Sequence, residues 1–339
     1  MLQISHDTPF DVAGALLTES SGRQLWVVVL KATLLIRADG TLSPDIAQEP
    51  VSIAPVHSGE PGLSSLLCEA DLVPAHEGVA VTVLGDALPP DGRPVSRMQV
   101  SLRVGDRVQR LRIIGDRIWQ RAVMGLAPSE PTQFVRMPVT YERAYGGSAV
   151  AATNAGNRVT FDRNPIGCGW YADEQSAVDQ PLPNIEQPDD CVQKWNSVVA
   201  VAGFGPLSPG WEPRLTQAGT YDAEWQRTQA PLWPDDLQPS FFNAAPPNWQ
   251  LPRLIGGEPV ELTGFTEGPP LQFIVPLLYP AFDSMMRGSL CHHRGTLERM
   301  IVCPGNRTVM LSYRSVLPVG MHWTALSRTI VSLKRRLAA

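Results

Sequence analysis

Short apolar runs separated by turn-forming residues dominate the first third of the chain, and no pattern repeats at a fixed period. The runs with the β-branched and apolar content of strands are Trp26–Ile36, Val79–Leu84, Met98–Val104 and Val108–Ile114. Asp39-Gly40 and Gly105-Asp106 follow two of these runs and are typical of hairpin turns. The pattern therefore predicts an N-terminal β region over residues 1–125.

The same kind of pattern returns near the C-terminus. Its predicted strands are Pro259–Leu262, Leu271–Val275, Met300–Cys303 and Thr308–Arg314, with a turn at Gly305-Asn306. In the last stretch, Thr324–Leu337, apolar residues recur at spacings of three and four positions, which is typical of an amphipathic helix. Residues 256–339 are therefore predicted to form a C-terminal β region that ends in a short helix.

Residues 126–255 show no regular periodicity and are rich in Trp, Pro and Gly. Of the nine tryptophans, those in this segment are Trp170, Trp195, Trp211, Trp225, Trp233 and Trp249. Such rings either fill a core that lacks regular elements or are presented to a partner, because Trp buries a large area with few rotatable bonds. We predict a mainly β protein of antiparallel, sandwich-like sheets with long ordered loops, and the three segments are compatible with a single domain.

Composition and charge narrow the class of protein. The 28 glycines and 32 prolines exceed ordinary usage, while an apolar fraction of 43% is that of a globular chain. The net charge is −5, and the one dense basic run, at 334–336, does not form the basic surface that nucleic acid requires. Five scattered cysteines fit a reducing compartment better than a disulfide framework.

Targeting and membrane signals are also missing from the sequence. Met1–Phe10 lacks the basic head and apolar core of a signal peptide. No apolar stretch reaches the roughly 18 residues that span a bilayer. We therefore expect a cytoplasmic protein that binds neither a membrane nor nucleic acid.

The sequence contains no recognisable catalytic motif, such as a nucleophile elbow, a phosphate-binding loop or a zinc-protease helix. Cys168 lies between two glycines and would need a basic partner to become a nucleophile. Cys291, His293 and Cys303 include zinc-ligand types but lack the paired short spacing of structural zinc sites. We expect no catalytic residue, metal or cofactor, and keep a hydrolase that uses Cys168 or the Cys/His set as an alternative.

Several motifs follow one another in a characteristic order. They are PVTYERAYGG (138–147), NPIGCG (164–169), LPNIE (182–186), Arg214 with AGTYDAEW (218–225), PLWPDD (231–236) and FFNAAP (241–246). Shorter motifs at 28–33, 85–95, 115–119, 256–260 and 308–314 extend the set over nearly the whole chain. In this combination the chain resembles the bacterial family called domain of unknown function 2169. It departs from the family at His76-Glu77 and Val79-Ala80, where a Lys-Pro pair and Thr-Asp are usual.

The resemblance implies a non-catalytic accessory protein of the type VI secretion system. Members look like adaptors or chaperones that bind an effector toxin in the cytoplasm. They are expected to help load it onto the spike, which is the valine-glycine-repeat protein (VgrG) tipped by a PAAR or PAAR-like protein. A structural component of the spike–effector complex is the alternative within the same system.

The motifs supply the residues that we expect to bind the partner or to organise the loops. These are Asn164, Pro165, Gly167, Gly169, Pro183, Asn184, Arg214, Gly219, Thr220, Tyr221, Asp222, Trp225, Trp233 and Asn243. The side chains of Asn164, Asn184 and Asp222 are expected to hold loops through hydrogen bonds to the backbone.

Two further expectations concern the centre of this set. We expect Arg214 to pair with Asp222 or Glu224 in a buried bond that fixes the turn around Gly219. Trp225 and Trp233 are expected either to pack beneath the docking face or to insert into the partner.

Overall fold

The structure is a computed structural model that describes residues 3–150 and 158–334. It confirms a mainly β protein in which antiparallel and mixed sheets are joined by long loops and short helices. Every strand predicted from the sequence is present within four residues of its predicted bounds. The predicted hairpin turns are present too, with Gly40 and Gly105 at φ values of 81° and 57°.

The strands are, in chain order, β1 (Gln3–His6), β2 (Asp11–Thr18), β3 (Gln24–Ile36), β4 (Leu42–Pro44), β5 (Val56–His57), β6 (Leu66–Cys68), β7 (Val79–Val83), β8 (Asp86–Ala87), β9 (Arg97–Val104), β10 (Arg107–Ile114), β11 (Trp119–Arg121), β12 (Leu126–Pro128), β13 (Met137–Pro138), β14 (Tyr145–Gly146), β15 (Ser148–Val150), β16 (Arg158–Thr160), β17 (Cys168–Gly169), β18 (Ile185–Glu186), β19 (Gln250–Leu251), β20 (Pro259–Thr263), β21 (Leu271–Ile274), β22 (Pro280–Met286), β23 (Ser289–Arg294), β24 (Thr296–Cys303), β25 (Thr308–Pro318) and β26 (Leu326–Leu333). The α-helices are α1 (Glu174–Ala177) and α2 (Ala223–Thr228). Short 3₁₀ helices lie at Pro90–Gly92, Tyr141–Arg143, Leu215–Gln217, Pro239–Phe242, Pro247–Trp249, Pro304–Asn306 and Gly320–Ala325.

Strands from both ends of the chain share the largest sheet. Its order is β19-β7-β24-β25-β3-β2, and β4 pairs with β3 at one side. The central pair, β3 and β25, is antiparallel, whereas β24 and β7 run parallel. The N-terminal and C-terminal regions therefore fold together in one sheet, and the division of the chain into three segments stays a prediction.

One face of this sheet forms the main hydrophobic core. Alternate residues of β3, among them Trp26, Val28 and Leu30, join that core, as the two-residue period of a strand requires. A five-stranded sheet of order β18-β10-β9-β20-β21 contributes Leu102 and Phe273 to the same core. The two sheets therefore pack through their apolar faces, in the sandwich-like manner expected from the sequence.

A four-stranded sheet of order β1-β26-β22-β23 includes the segment for which the sequence predicts a helix. That prediction is wrong over Leu326–Leu333, which is a strand between parallel β1 and antiparallel β22, and residues 335–337 lie outside the described ranges. Tertiary contacts explain the difference. Val331 enters the main core, and the Thr329 hydroxyl accepts a hydrogen bond from Trp26 Nε1 at 2.8 Å.

The opposite face of the largest sheet is covered by residues 45–74, which we call the strap. Val27 and Val29 of β3 pack there against Val51 of the strap in a small apolar cluster. Lys31 is also on this face and is buried, so the strap covers charged as well as apolar side chains.

The middle segment contains both α-helices, several 3₁₀ helices and strands that are mostly two or three residues long. Four of its tryptophans, Trp170, Trp195, Trp211 and Trp249, pack in or against hydrophobic clusters. Within residues 3–150 and 158–334, no helix combines the length and the apolar content needed to cross a bilayer.

Candidate functional site

Asn164 is fully buried and joins two of the sequence motifs. Its Nδ2 donates to the carbonyl oxygens of Tyr141 and Tyr145 at 2.8 and 3.1 Å. Gly167 leaves the space for this side chain, because a Cβ there would lie 2.4 Å from Asn164 Nδ2 and 2.6 Å from the Ala144 carbonyl oxygen. The asparagine therefore holds the loop 141–145 by side-chain-to-backbone bonds of the kind that the sequence predicts.

The rest of the NPIGCG motif packs on the LPNIE motif. Gly169 has a φ of 95°, and a Cβ there would lie 2.5 Å from Cδ of Pro183. Gly169 also pairs with Gly146 in the parallel pair β14–β17, while Pro165 is half-buried at the start of the turn. These residues organise the loops and expose little surface to a partner.

Asn184 is the second buried amide that links loops. Its Nδ2 donates to the Ile114 carbonyl oxygen at 3.0 Å and to Asp116 Oδ1 at 2.9 Å, and its Oδ1 accepts from Arg143 Nη1 at 3.0 Å. Strand β18, which lies at one edge of the five-stranded sheet, begins at the next residue. Asn184 therefore fixes the point at which the middle segment joins that sheet.

Arg214 lies elsewhere than the sequence suggests. The expected pairing with Asp222 or Glu224 is wrong: its Nη2 donates to Glu69 Oε2 of the strap at 2.7 Å. Its Nε donates to the Phe241 carbonyl oxygen at 2.9 Å, and the guanidinium lies over the Phe241 ring, 5.2 Å from the centroid. With 1% of its surface exposed, Arg214 joins the strap to the middle segment from inside.

Asn243 makes the next such link along the chain. It is 1% exposed, and its Nδ2 donates to the Glu77 carbonyl oxygen at 2.8 Å. Its Oδ1 accepts from the backbone N–H of Ala245 at 3.2 Å. This bond therefore joins the segment that precedes β7 to the segment that precedes β19.

Residues 219–242 form a small unit at the surface, which we call the aromatic lobe. It begins at Gly219, whose φ is 83°, and the Thr220 hydroxyl donates to Asp236 Oδ2 at 2.7 Å. Asp222 caps helix α2 by accepting from the backbone N–H of Trp225 at 2.8 Å. The closing bond at 220–236 and the cap together define the fold of the lobe.

One aromatic side chain of the lobe, that of Tyr221, is exposed at the surface. Tyr221 is 51% exposed and packs edge-on against half-buried Trp225, with 4.8 Å between ring centroids. Trp225 Nε1 donates to the Leu232 carbonyl oxygen at 3.0 Å, and Gln229 Nε2 donates to the Ser20 carbonyl oxygen at 2.7 Å. The lobe is therefore anchored to the β2–β3 turn while its tyrosine faces outward.

A cleft of about 360 Å³ lies between the aromatic lobe, the strap and β2, and we call it the lobe cleft. Its main apolar lining residues are Leu17, Leu72, Pro74, Trp233, Phe241 and Phe242. Trp233 and Phe242 meet edge to face, with 5.7 Å between ring centroids. Arg214 and Glu69 also line the cleft, but each is already bonded to the other. The arrangement suits an apolar side chain.

Beneath the strap lies a buried ion cluster that the sequence reasoning missed. Asp71 accepts from Lys31 Nζ at 3.1 Å, from Arg299 Nη1 at 2.7 Å and from the Ser312 hydroxyl at 2.8 Å. Burial raises the pKa of Asp71, but Arg299 and Lys31, together with hydrogen bonds from Ser52 and Ser312, outweigh that effect and hold the pKa below its usual value. The one sequence signal was Lys31 itself, an isolated charge inside the apolar run of a central strand.

The same cluster supports the lobe cleft. Arg299 Nη1 donates to the Glu69 carbonyl oxygen at 2.8 Å, while the Glu69 carboxylate is bonded to Arg214. A continuous network of ion pairs and hydrogen bonds thus runs from the largest sheet through the strap to the wall of the cleft. Such a support holds the cleft walls in place.

The residues considered for catalysis are in unreactive surroundings. Burial raises the pKa of Cys168 from 9.0 to about 12, which keeps the thiol protonated at neutral pH. His293 stacks on Phe282 and shares hydrogen bonds with the hydroxyls of Ser284 and Ser315. Among the described residues, no three His, Cys, Asp or Glu side chains are grouped to hold a metal ion, so Cys291, His293 and Cys303 are not brought together as a metal site.

Comparison with known proteins gives one match. Residues 21–314 match a family described as uncharacterized protein conserved in bacteria, DUF2169. Neither the search of curated proteins nor that of solved structures returned a match. The matched range contains the residues of the lobe cleft from Glu69 to Phe242, together with every motif residue named above. The chain belongs to the DUF2169 family of bacterial proteins.

Proposed function

We propose that the protein is a non-catalytic adaptor or chaperone, which binds a type VI secretion effector in the cytoplasm and helps load it onto the VgrG spike and its PAAR-like tip. The observation that carries the proposal is the convergence of separate family motifs on one surface cleft. Arg214, Trp233 and the pair Phe241 and Phe242 come from three different motifs and line the same cleft. The assignment to the type VI secretion system rests on the resemblance of the family to such adaptors.

The chemistry of the lobe cleft favours binding over reaction. Its walls are aromatic and aliphatic, and its charged residues, Arg214 and Glu69, are engaged with each other. Trp and Tyr are typical anchors at the centre of protein interfaces. Half-buried Trp233 lines the cleft, and Tyr221, which is not a lining residue, is exposed on the same lobe. An apolar side chain of the effector is the ligand that fits these walls.

An adaptor has to release its cargo, so we expect an interface of ordinary size without a large permanent apolar seam. The exposed part of the lobe agrees with this, because the chain neighbours of Tyr221, Thr220 and Asp222, are polar and Thr220 is bonded to Asp236. A protein that never separates from its effector during purification would instead be a permanent subunit of the spike–effector complex.

The proposal is tested by purifying the tagged full-length protein from its native host, grown with secretion active, and identifying the bound proteins by mass spectrometry. We expect a VgrG-type or PAAR-like protein together with one large toxin-like protein. Recovery of neither by a folded bait would overturn the proposal.

Substitutions in the aromatic lobe test whether the lobe binds the effector. Tyr221→Ala removes an exposed ring, and Trp233→Ala removes one wall of the cleft. Val123→Ala is the control, because Val123 is fully exposed and is not part of the cleft. We expect the Tyr221 and Trp233 variants to lose the effector while they keep the wild-type circular dichroism spectrum. Full retention of the effector by both folded variants would exclude the lobe as the docking site.

A further inference from the structure

Strand β23 lies at one edge of the four-stranded sheet, and within the described ranges no other strand pairs with its outer side. In the order β1-β26-β22-β23, β23 pairs only with β22. Apart from that pairing, none of the backbone hydrogen bonds found in residues 3–150 and 158–334 involves residues 289–294. Proteins usually shorten, cover or charge such edges, because a free edge pairs readily with another chain.

The hairpin geometry shows which backbone groups of β23 point outward. The turn between β22 and β23 consists of Arg287 and Gly288, both with positive φ (54° and 77°), as in a type I′ turn. That turn makes Met286 and Ser289 the closing hydrogen-bonded pair. Pairs alternate along an antiparallel ladder, so the N–H and C=O groups at positions 290, 292 and 294 are directed away from β22.

The same three positions carry exposed side chains. Leu290 is 47% exposed and the side chain of His292 is 67% exposed, and Arg294 is exposed as well. The alternate residues Cys291 and His293 are half-buried. Positions 290, 292 and 294 therefore offer both backbone hydrogen-bonding groups and side chains to an incoming strand.

The strand is held in place from behind. His293 shares hydrogen bonds with the hydroxyls of Ser284 and Ser315, at 2.8 and 2.5 Å, and so connects β23 to β22 and to β25 of the largest sheet. A cavity of about 590 Å³ lies beside Arg294 and is also lined by Tyr279 and Lys334. The edge is thus a rigid template with room for a side chain at one end.

Three other sheet edges, those of β21, β18 and β19, do not offer such a template. At the β21 edge the hairpin turn comes so close that a Cβ on Gly40 would lie 2.9 Å from the Gln272 carbonyl oxygen. The edges formed by β18 and β19 are each two residues long. The strand β23 is six residues long and is the longer edge of its own sheet.

Charge indicates what kind of segment would pair with β23. The strands of this sheet and the β22–β23 turn carry three arginines, Arg287, Arg294 and Arg328, against one aspartate, Asp283. Asp283 is already bonded to His292 at 2.6 Å. Just outside the strands, Lys334 directly follows β26 and Asp7 directly follows β1, so the basic residues still outnumber the acidic ones. The chain as a whole has a net charge of −5, so this edge is a basic region of an acidic protein. A second copy of the edge would bring the same arginines together and is disfavoured by repulsion.

We propose that β23 is a docking edge, to which an acidic, extended segment of a partner protein adds as a further strand. Backbone hydrogen bonds at positions 290, 292 and 294 supply the affinity, and the flanking arginines select acidic side chains. The inference goes beyond the adaptor function, because this edge is formed by residues separate from the lobe cleft and does not depend on the identity of the effector.

The test uses two short synthetic peptides, one of alternating Glu and Val and one of alternating Lys and Val, with the full-length protein. Hydrogen exchange read by mass spectrometry reports on residues 289–294. At a Glu/Val peptide concentration ten times its Kd, we expect exchange there to slow about tenfold, and raising the salt concentration should weaken the effect. The Lys/Val peptide should have no effect.

Matched substitutions separate backbone pairing from side-chain contact. His292→Pro removes an outward N–H without breaking a bond to β22, whereas His292→Ala keeps that N–H. Protection by the Glu/Val peptide should disappear in the proline variant and persist in the alanine variant. Should the proline variant fail to fold, the Arg287→Glu, Arg294→Glu double variant tests the charge selection, and it should respond to the Lys/Val peptide instead.

Three results would overturn the inference. The first is equal protection by both peptides, and the second is no protection by either. The third is protection that appears without peptide as the protein concentration rises, together with a dimer in sedimentation, which would identify a second copy as the occupant.

Discussion

Arg214 and Glu69 form a buried ion pair between residues that lie 145 positions apart in the chain, with 2.7 Å between Nη2 and Oε2. The pair ties the middle segment to the strap and lies in the wall of the lobe cleft. Through the Glu69 carbonyl oxygen it continues to Arg299 and the ion cluster beneath the strap. Part of the cleft wall is therefore formed by an ion pair that is almost fully buried.

Removing one partner of this pair should destabilise the protein strongly. Arg214→Met leaves the Glu69 carboxylate buried without its cation, which typically costs about 3 kcal/mol or more in the free energy of unfolding. Urea unfolding should show a lower midpoint. The control is Arg227→Met, because Arg227 is exposed and its contact with exposed Glu224 spans 3.9 Å. An unchanged midpoint for Arg214→Met would contradict the role of the pair.

The ion cluster at Asp71 predicts a specific loss of stability in acid. The pKa of this carboxyl is lower in the folded protein than its ordinary value of 3.8, so the unfolded chain binds the proton more readily. Its contribution is therefore complete above about pH 4 and is lost as the pH falls through the lower pKa of the folded state.

Asp71→Asn tests this relationship. The variant should be less stable by about 3 kcal/mol near pH 7, since it leaves Lys31 and Arg299 buried without their anion. The difference between wild type and variant should shrink as the pH falls below about 4. Urea unfolding at several pH values measures both effects, and a difference that does not vary with pH would refute the assignment.

Two glycines of ordinary φ provide a matched test of close packing around Asn164. A Cβ on Gly167 would lie 2.4 Å from Asn164 Nδ2, whereas a Cβ on Gly210 would have no atom within 4 Å. Gly167→Ala should therefore destabilise the protein by about 1–3 kcal/mol, and Gly210→Ala should be neutral or slightly stabilising. Thermal unfolding of the two variants decides the point. Equal melting temperatures would show that the loop adjusts.

Cys168 should react slowly with alkylating reagents. Its pKa is raised from 9.0 to about 12 by burial, so the reactive thiolate is roughly a thousandfold rarer than for an ordinary thiol. Iodoacetamide labelling near pH 8, followed by mass spectrometry of the peptide around Cys168, measures the rate against free glutathione. Labelling as fast as glutathione would revive the alternative of a cysteine hydrolase.

The strands that were predicted could be recognised because their signals are local. β-branched runs such as Trp26–Ile36 favour extended backbone, and the Asp-Gly and Gly-Asp pairs beside them favour turns, whatever the rest of the chain does. The motif asparagines were marked by their places in the motifs, but their backbone partners are distant in the chain, as with Asn184 and the Ile114 carbonyl oxygen. The family motifs likewise marked Trp233 and Phe241, although not that they line one cleft.

The predicted helix shows where local reasoning fails. Leu326, Ile330 and Leu333 have helical spacing, yet the segment is a strand between β1 and β22. Neighbouring strands and the hydrogen bond from Trp26 to Thr329 outweigh the local pattern. The hairpin of β22 and β23, which forms the basic edge, was not predicted at all.

The sequence by itself determined the mainly β class, most of the longer strands and the family, because each depends on residues that lie near one another in the chain or in a fixed order. Only the tertiary structure decided which charges meet. Arg214 with Glu69, and Lys31 and Arg299 with Asp71, are brought together by the strap folding over the sheet. A buried charged side chain requires a partner of opposite charge. The sequence does not show which residue that partner is, because the packing of distant segments determines which side chains meet.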